Sequence, residues 1–217
     1  MTPETTAPAS FAGSAVYLVE DDRGVRESLE LLLRLRGFVP KAFASGEEFL
    51  AFTALQRPAC ALLDVRLPGI DGLELQRQLR ARHPGLPTIV ITAHGDVGTA
   101  RTALRDGAVD FLEKPIDEND LLDAIVTALA SDQRVVREAR DREELEARLQ
   151  RLTARETEVF DRITNGQHNR EIAEEFGISP RTVEVHRARI MEKLRARRVA
   201  DLFRLRFDLE RTPPAQQ

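Results

Sequence analysis

The chain has 217 residues, of which 42% are hydrophobic and 31% are charged, and its formal net charge is −4. This composition is typical of a globular protein, and no apolar run is long enough to span a bilayer, so we expect no membrane anchor. The length favours two small domains over one.

The N-terminal segment lacks the basic start and apolar core of a secretory signal. We therefore interpret residues 1–14 as a disordered leader and expect a cytoplasmic protein. A single cysteine, Cys60, excludes an internal disulfide, and its position in an apolar run predicts a buried thiol rather than a reactive one.

Short apolar runs alternate with amphipathic stretches of helical length in the first half of the chain. One such stretch is "VRESLELLLRLRG", which ends at Gly37. This alternation predicts an α/β domain over residues 15–130, with helices on both faces of a doubly wound, five-stranded parallel sheet. The predicted strands cover residues 15–19, 39–43, 60–64, 87–92 and 110–114.

A long helix is predicted next, because neither glycine nor proline occurs between Ile116 and Leu152. We interpret residues 131–150 of it as a linker. A loose apolar stripe weakens at Asp132 and Arg142, so two alternatives stay open: a solvated spacer, or a weak coiled coil between two subunits. The stripe consists of Leu121, Ile125, Ala128, Val135, Ala139, Leu145 and Leu149.

Short helical segments fill residues 151–210, which predicts an all-α second domain, and residues 211–217 are interpreted as a disordered tail. Ser179 followed by Pro180 is a strong helix start. Residues 151–217 carry 14 Lys and Arg against 11 Asp and Glu, whereas residues 1–130 carry 13 against 19. The basic excess at the C-terminal end permits a nucleic-acid partner.

Polar residues stand where the predicted strands end. In an open parallel sheet, the carboxyl ends of the strands form the edge at which ligands bind. Clustered carboxylates suit a hard cation such as Mg²⁺, a further Asp can act as a nucleophile on phosphorus, and a Lys can neutralise charge. The residues at this edge are Glu20, Asp21, Asp22, Asp64, Thr92 and Lys114.

Four motifs in order make residues 15–130 resemble the receiver domain of two-component response regulators: "LVEDD", "LLDVRLPGIDG", "ITAHGD" and "VDFLEKP". The resemblance implies that Asp64 accepts a phosphoryl group from a histidine kinase. It implies that Mg²⁺ is bound by Asp21, Asp64 and the backbone carbonyl of Arg66, with Glu20 acting through water. Asp22 is expected to cap a helix or to lie just outside the residues that bind the metal directly.

The same resemblance assigns the signalling residues of the receiver. Thr92 and Lys114 are implied to contact the acyl phosphate, and the peptide bond between Lys114 and Pro115 is expected to be cis. Thr92 and Phe111 are implied to move on phosphorylation and to remodel the face formed by the fourth helix, fifth strand and fifth helix. A plain core position is the alternative for Phe111.

Two rival functions fit this sequence less well. Phosphatases of the haloacid dehalogenase type place a nucleophilic Asp at a similar strand end, but they need a second Asp two residues later, where this chain has Arg66. We therefore do not expect an enzyme. A phosphate-independent DNA-binding or scaffolding protein would not need Asp64, Thr92 and Lys114.

The motifs "LTARETEV" and "NREIAEEFGISPRTVEVHRARIMEKL" resemble the LuxR-type helix-turn-helix domain of NarL/FixJ regulators. The resemblance implies a regulator of transcription that binds double-stranded DNA, and RNA polymerase is an expected further partner. One helix reads too short a site for specificity, so we expect a homodimer on paired half-sites.

The second helix of this motif is the predicted recognition helix. A helical wheel places Val183, Ile190 and Leu194 toward the domain core. The opposite face enters the major groove, where carboxylate and apolar groups read bases and cationic groups contact phosphates. Expected at base edges are Glu184, Val185 and Ala188; expected at phosphates are Arg181, Thr182, Arg187, Arg189 and Lys193.

Overall fold

The computed structural model describes residues 10–93 and 97–211, and it divides into two compact units between residues 137 and 138. Most of the expected leader, the expected tail beyond residue 211 and the last three residues of the "ITAHGD" motif lie outside the described residues.

A five-stranded, entirely parallel sheet forms the first unit, which confirms the predicted fold. The strand order is β2-β1-β3-β4-β5. Strand order reverses between β1 and β3, so the carboxyl ends of these two strands lie side by side at the topological switch point. The strands are β1 Ala15–Val19, β2 Val39–Phe43, β3 Ala59–Asp64, β4 Thr88–Thr92 and β5 Asp110–Glu113.

Helices cover both faces of this sheet. The period-two alternation of a strand sends Val16 and Leu18 into one apolar cluster and Tyr17 and Val19 into the other, so all of β1 is buried. Cys60 lies in the first cluster, and burial raises the pKa of its thiol. The helices of this unit are α1 Arg23–Leu35, α2 Gly46–Ala51, α3 Gly72–Arg82, α4 Val97–Arg105 and α5 Glu118–Leu149.

Helix α5 confirms the long helix expected from the absence of glycine and proline, and it continues past the boundary between the units. Asp132, which interrupts the apolar stripe in the sequence, is fully buried instead of facing solvent. Within the described ranges, no helix is both long enough and apolar enough to cross a membrane.

After the end of α5, short helices surround one apolar core in the described residues of the second unit. Ser179 caps α8 by accepting a hydrogen bond from the Thr182 backbone N–H, and Pro180 occupies the first turn, as predicted. Gly177 ends α7 with a φ of 64°, in the left-handed region that glycine adopts without strain. The helices are α6 Ala154–Thr164, α7 Asn169–Phe176, α8 Pro180–Leu194 and α9 Val199–Arg211.

Candidate functional site

Acidic residues follow β1 directly, and the structure separates their roles. Glu20 is 1% exposed, whereas Asp21 is exposed to solvent. Asp22 is the N-cap of α1, where its Oδ1 accepts a hydrogen bond from the backbone N–H of Val25 at 2.9 Å. The helix-capping role expected of Asp22 is therefore confirmed.

A missed residue, Arg26, holds the backbone of the acidic segment. Its Nη1 donates to the carbonyl oxygens of Glu20 at 2.7 Å and Asp21 at 3.0 Å. Both bonds run from the first turns of α1 back to the end of β1. No motif in the sequence predicts these contacts, although Arg26 follows the two acids by only six and five residues.

Asp64 ends β3 beside this segment and is 4% exposed. Gly72, the first residue of α3, passes so close that a Cβ there would lie 2.1 Å from the carbonyl oxygen of Asp64. The backbone N–H of Gly72 also donates to the carbonyl of Val65 at 3.0 Å. A side chain at position 72 would displace the strand end that carries Asp64, which explains the glycine.

Lys114 reaches the same edge from the end of β5. Its Nζ donates to Oε2 of Glu20 at 2.7 Å and to Oδ2 of Asp64 at 3.0 Å. Burial lowers the pKa of the Lys114 ammonium, but its bonds to the two carboxylates outweigh burial and raise it above its ordinary value. Burial raises the pKa of Glu20, which the bond from Lys114 only partly offsets. The ammonium therefore stays charged between the two acids.

The arrangement also fits a divalent metal. One carboxylate oxygen each from Glu20, Asp21 and Asp64 lie within 4.8 Å of one another. Such a set of oxygen atoms is what Mg²⁺ prefers in proteins. Arg66 lies two residues past Asp64, and its backbone N–H points back to Asp64 Oδ1 at 3.4 Å.

Two predicted signalling residues lie on the neighbouring strands. Thr92 ends β4 and is 2% exposed, and its carbonyl accepts the backbone N–H of Lys114 at 2.7 Å. Phe111, on β5, is half-buried. The peptide bond between Lys114 and Pro115 is cis, as expected.

Helix α8, the predicted recognition helix, has its buried side and its exposed side where the helical wheel places them. Val183, Ile190 and Leu194 are buried in the core of the second unit. The three residues expected at base edges, Glu184, Val185 and Ala188, are all exposed. The face that α8 turns to solvent is thus the one expected to read bases.

The residues expected at phosphates divide into two groups. Arg181, Thr182 and Arg189 are exposed, and Arg181 pairs with Glu184 at 3.1 Å. Arg187 and Lys193 have partners inside the unit. Arg187 donates to Oδ1 of Asn169 at 2.8 Å, and Lys193 donates to Oε2 of Glu156 at 2.6 Å and to the Arg151 carbonyl at 3.0 Å.

Glu156 has a structural role that the sequence analysis missed. It forms a capping box with Thr153 at the start of α6 and is 2% exposed. The bond from Lys193 and the Thr153 backbone N–H lower the pKa of Glu156 to about 2. The spacing of Thr153 and Glu156 is the capping-box signature, but Lys193 lies 37 residues further along the chain.

Comparison with known families assigns both units. The response regulator receiver domain family matches residues 16–126, and the family described as bacterial regulatory proteins of the luxR family matches residues 150–205. The first match covers the sheet that carries Asp64, and the second covers the helical unit that contains α8.

Characterised relatives share both parts. The chain is 42% identical to the transcriptional regulatory protein FixJ of Rhizobium meliloti (strain 1021) over 88% of this chain and 93% of that protein. It is also 42% identical to the C4-dicarboxylate transport transcriptional regulatory protein DctR of Rhodobacter capsulatus, over 88% of this chain and 98% of that protein.

Two solved structures of response regulators are also similar to this chain. The response regulator StyR is 40% identical, with a TM-score of 0.82 over 90% of this chain and 99% of that one. Full-length FixJ from B. japonicum is 36% identical, with a TM-score of 0.56 over 92% of this chain and 98% of that one.

Proposed function

This chain belongs to the NarL/FixJ family of two-component response regulators, and from that premise we propose that Asp64 takes a phosphoryl group from a histidine kinase and thereby changes the binding of promoter DNA. As a member of the family, the chain is a DNA-binding regulator of transcription under the control of phosphorylation.

The position of Lys114 between Glu20 and Asp64 is the observation that carries the proposal. The carboxylate of Asp64 attacks the phosphorus of a phosphohistidine whose second ring nitrogen carries a proton; the P–N bond breaks, a bond forms between phosphorus and the carboxylate oxygen, and neutral imidazole leaves. The Lys114 ammonium then lies beside the new phosphoryl oxygens and offsets their charge. Thr92 is the neighbouring hydroxyl proposed to bond one of them.

Glu20, Asp21, Asp64 and the Arg66 carbonyl are the groups that would hold Mg²⁺, with Glu20 acting through a water. When bound, the ion supplies positive charge beside the phosphoryl oxygens. Asp21 is the exposed carboxylate of the set, so solvent reaches it before the carboxylates of Glu20 and Asp64. Asp22 is not proposed as a ligand, because its Oδ1 caps α1.

Phosphorylation is proposed to act as a population shift. An acyl phosphate that binds one packing of Thr92 and Phe111 better than another raises the population of the first. Phe111 is half-buried, so its ring has room to change position without opening a fully packed core.

The DNA-binding half is proposed to read promoters through the exposed face of α8. Glu184 would accept from a cytosine amine, and Val185 and Ala188 would contact a thymine methyl group. Arg181, Thr182 and Arg189 are exposed and suit phosphate contacts, and Arg187 and Lys193 would have to leave or share their present partners. We further propose a homodimer on paired half-sites, and RNA polymerase as a partner.

The experiment for the acceptor is mass spectrometry of the full chain after treatment with acetyl phosphate and Mg²⁺. We expect one phosphoryl group, on the peptide that contains Asp64, and a transition to dimers in sedimentation velocity. A phosphoryl group on any other acid, with Asp64 unmodified, would contradict the assignment.

A further inference from the structure

A fully buried carboxylate lies in α5, at a position that in the sequence is only a break in the apolar stripe. Asp132 is 0% exposed. Its Oδ2 accepts the backbone N–H of Ala59 at 2.8 Å and Nε of Arg57 at 3.1 Å, and its Oδ1 accepts Nη2 of Arg57. Three donors thus satisfy one carboxylate that the fold removes from water.

Arg57 extends this network to a second loop. Its Nη2 also donates to the carbonyl oxygen of Gly85, in the segment between α3 and β4, at 2.8 Å. The Asp132 ion pair, defined here as Asp132 with Arg57, therefore joins α5 to the start of β3 and to the start of β4. These are the amino ends of the strands, at the edge of the sheet opposite Asp64.

The position of the ion pair along α5 is informative. Asp132 is the last fully buried residue of α5 within the first unit, which ends at Arg137. Ala128 and Leu129, one turn earlier, are buried in the apolar core. Beyond Asp132 the helix is mostly exposed up to the boundary, although Val135 still lies beside Gly85. Asp132 is therefore the last position at which α5 is fully buried in the receiver.

A charge pair and an apolar contact hold a helix in different ways. Apolar packing is non-directional, so a helix held by it alone can rotate or slide by small amounts at little cost. A buried carboxylate that is bonded to a backbone N–H and a guanidinium has a fixed direction, and it loses its partners if the helix turns. Buried ionic groups of this kind are best known for fixing register.

We propose that Asp132 and Arg57 are positioning residues that fix the rotation of α5 about its own axis where the helix leaves the receiver, and that the response of DNA binding to phosphorylation depends on this fixed rotation. The proposal rests on the phosphorylation control proposed above. It goes beyond that control by naming the residues through which α5 is held, at the far edge of the sheet from Asp64.

The test measures coupling rather than stability. The full chain binds a DNA fragment that the phosphorylated wild type selects from random sequence, and Kd is measured with and without acetyl phosphate. The main variant is Arg57→Met combined with Asp132→Leu, because removing both partners leaves no unpaired buried charge. The matched control is Arg140→Gln with Glu144→Gln, which removes the pairs of Glu144 with Arg140 and Arg148 from the same helix.

We expect the main variant to remain folded, with a lower melting temperature because the Ala59 N–H loses its acceptor, and to keep its phosphorylation on Asp64. The ratio of the two Kd values is expected to fall to within about twofold of one. The control should keep the wild-type ratio. If the main variant does not fold, Asp132→Asn, which keeps the shape of the side chain, decides the question by the same ratio.

The outcomes separate the two proposals. A wild-type ratio in the folded variant would overturn the positioning role and leave phosphorylation control intact. A wild type whose DNA affinity does not respond to acetyl phosphate, although Asp64 is phosphorylated, would overturn both. A reduced ratio in the control as well would show that any charge change on α5 suffices, and it would also overturn the role of the Asp132 ion pair.

Discussion

The ammonium nitrogen of Lys114 lies 3.0 Å from Oδ2 of Asp64, although the two residues are 50 positions apart in the chain. The contact exists because β3 and β5 end at the same edge of the parallel sheet, with β4 between them. The same ammonium bonds Glu20 at 2.7 Å. One cation therefore neutralises part of a carboxylate cluster that would otherwise repel itself.

Replacing this cation should separate metal binding from signalling. In Lys114→Met, Mg²⁺ affinity is expected to rise by about tenfold, because a positive charge beside the carboxylates is removed. The response of DNA binding to acetyl phosphate is expected to be lost, since the ammonium that would bond the phosphoryl oxygens is absent. Calorimetry with Mg²⁺ and a DNA titration measure the two effects. Lys41→Met, at an exposed lysine over the Phe52 ring, should change neither.

Asp21 and Asp22 are adjacent, yet their removal should have opposite consequences. Asp21→Ala is expected to lower Mg²⁺ affinity by about tenfold or more with little effect on stability. Asp22→Ala should leave Mg²⁺ affinity nearly unchanged but lower the unfolding free energy by about 1 kcal/mol, since it removes the cap of α1. Mg²⁺ titration and urea unfolding of both variants check this ranking. An equal loss of Mg²⁺ affinity in the two would refute it.

Glu156 should make the second unit acid-sensitive. Its pKa in the folded chain is about 2, below the ordinary 4.5. Its stabilisation is therefore complete above about pH 4.5 and is lost as the pH falls toward about 2. Glu156→Gln should cost about 2 kcal/mol near neutral pH, less than the full shift gives because Lys193 is partly exposed.

Hydrogen exchange of the α6 amides, compared between wild type and Glu156→Gln, measures this difference. The difference in amide protection between wild type and Glu156→Gln should become smaller as the pH is lowered through the range where Glu156 gains its proton. The control is Glu158→Gln, which changes an exposed acid of the same helix that pairs with Arg155. Its α6 amide protection should differ little from that of wild type at every pH. If the difference in amide protection between wild type and Glu156→Gln stays constant down to about pH 2, the lowered pKa of Glu156 is disproved.

Two exposed residues of α8 should differ in what they contribute to DNA binding. Glu184→Ala is expected to relax the preference at one base pair, worth about 1–3 kcal/mol of discrimination. Arg189→Ala should weaken all sequences alike and reduce the slope of log Kd against log salt by about one. Binding to a library of single-base variants at several salt concentrations distinguishes these patterns. Uniform weakening by Glu184→Ala would count against base contact.

Much of the fold could be predicted because the signals were local. The predicted ranges of β1 and β2 match the structure residue for residue, since both are apolar runs bounded by turn residues. The ends of β3, β4 and β5 differ by one residue. Ser179 and Pro180 likewise marked the start of α8 by local chemistry.

The remaining features depend on partners that lie far away in the sequence. Asp132 looked like a flaw in an apolar stripe, because its partner Arg57 lies 75 residues earlier in an unpatterned loop. Lys193 was expected to contact a DNA phosphate, because no residue near it in the sequence indicates that it binds the buried Glu156. A wheel or a motif shows which face a residue occupies, but it does not show whether a distant charge already binds it.

The most direct measurement of the central claim is the DNA affinity of the full chain and of Asp64→Asn, each with and without acetyl phosphate and Mg²⁺. The two carboxyl-derived side chains have the same shape, so the change removes the phosphoryl acceptor with little disturbance of packing. We predict that acetyl phosphate tightens wild-type binding and leaves Asp64→Asn unchanged. An equal response in both proteins would contradict control through Asp64.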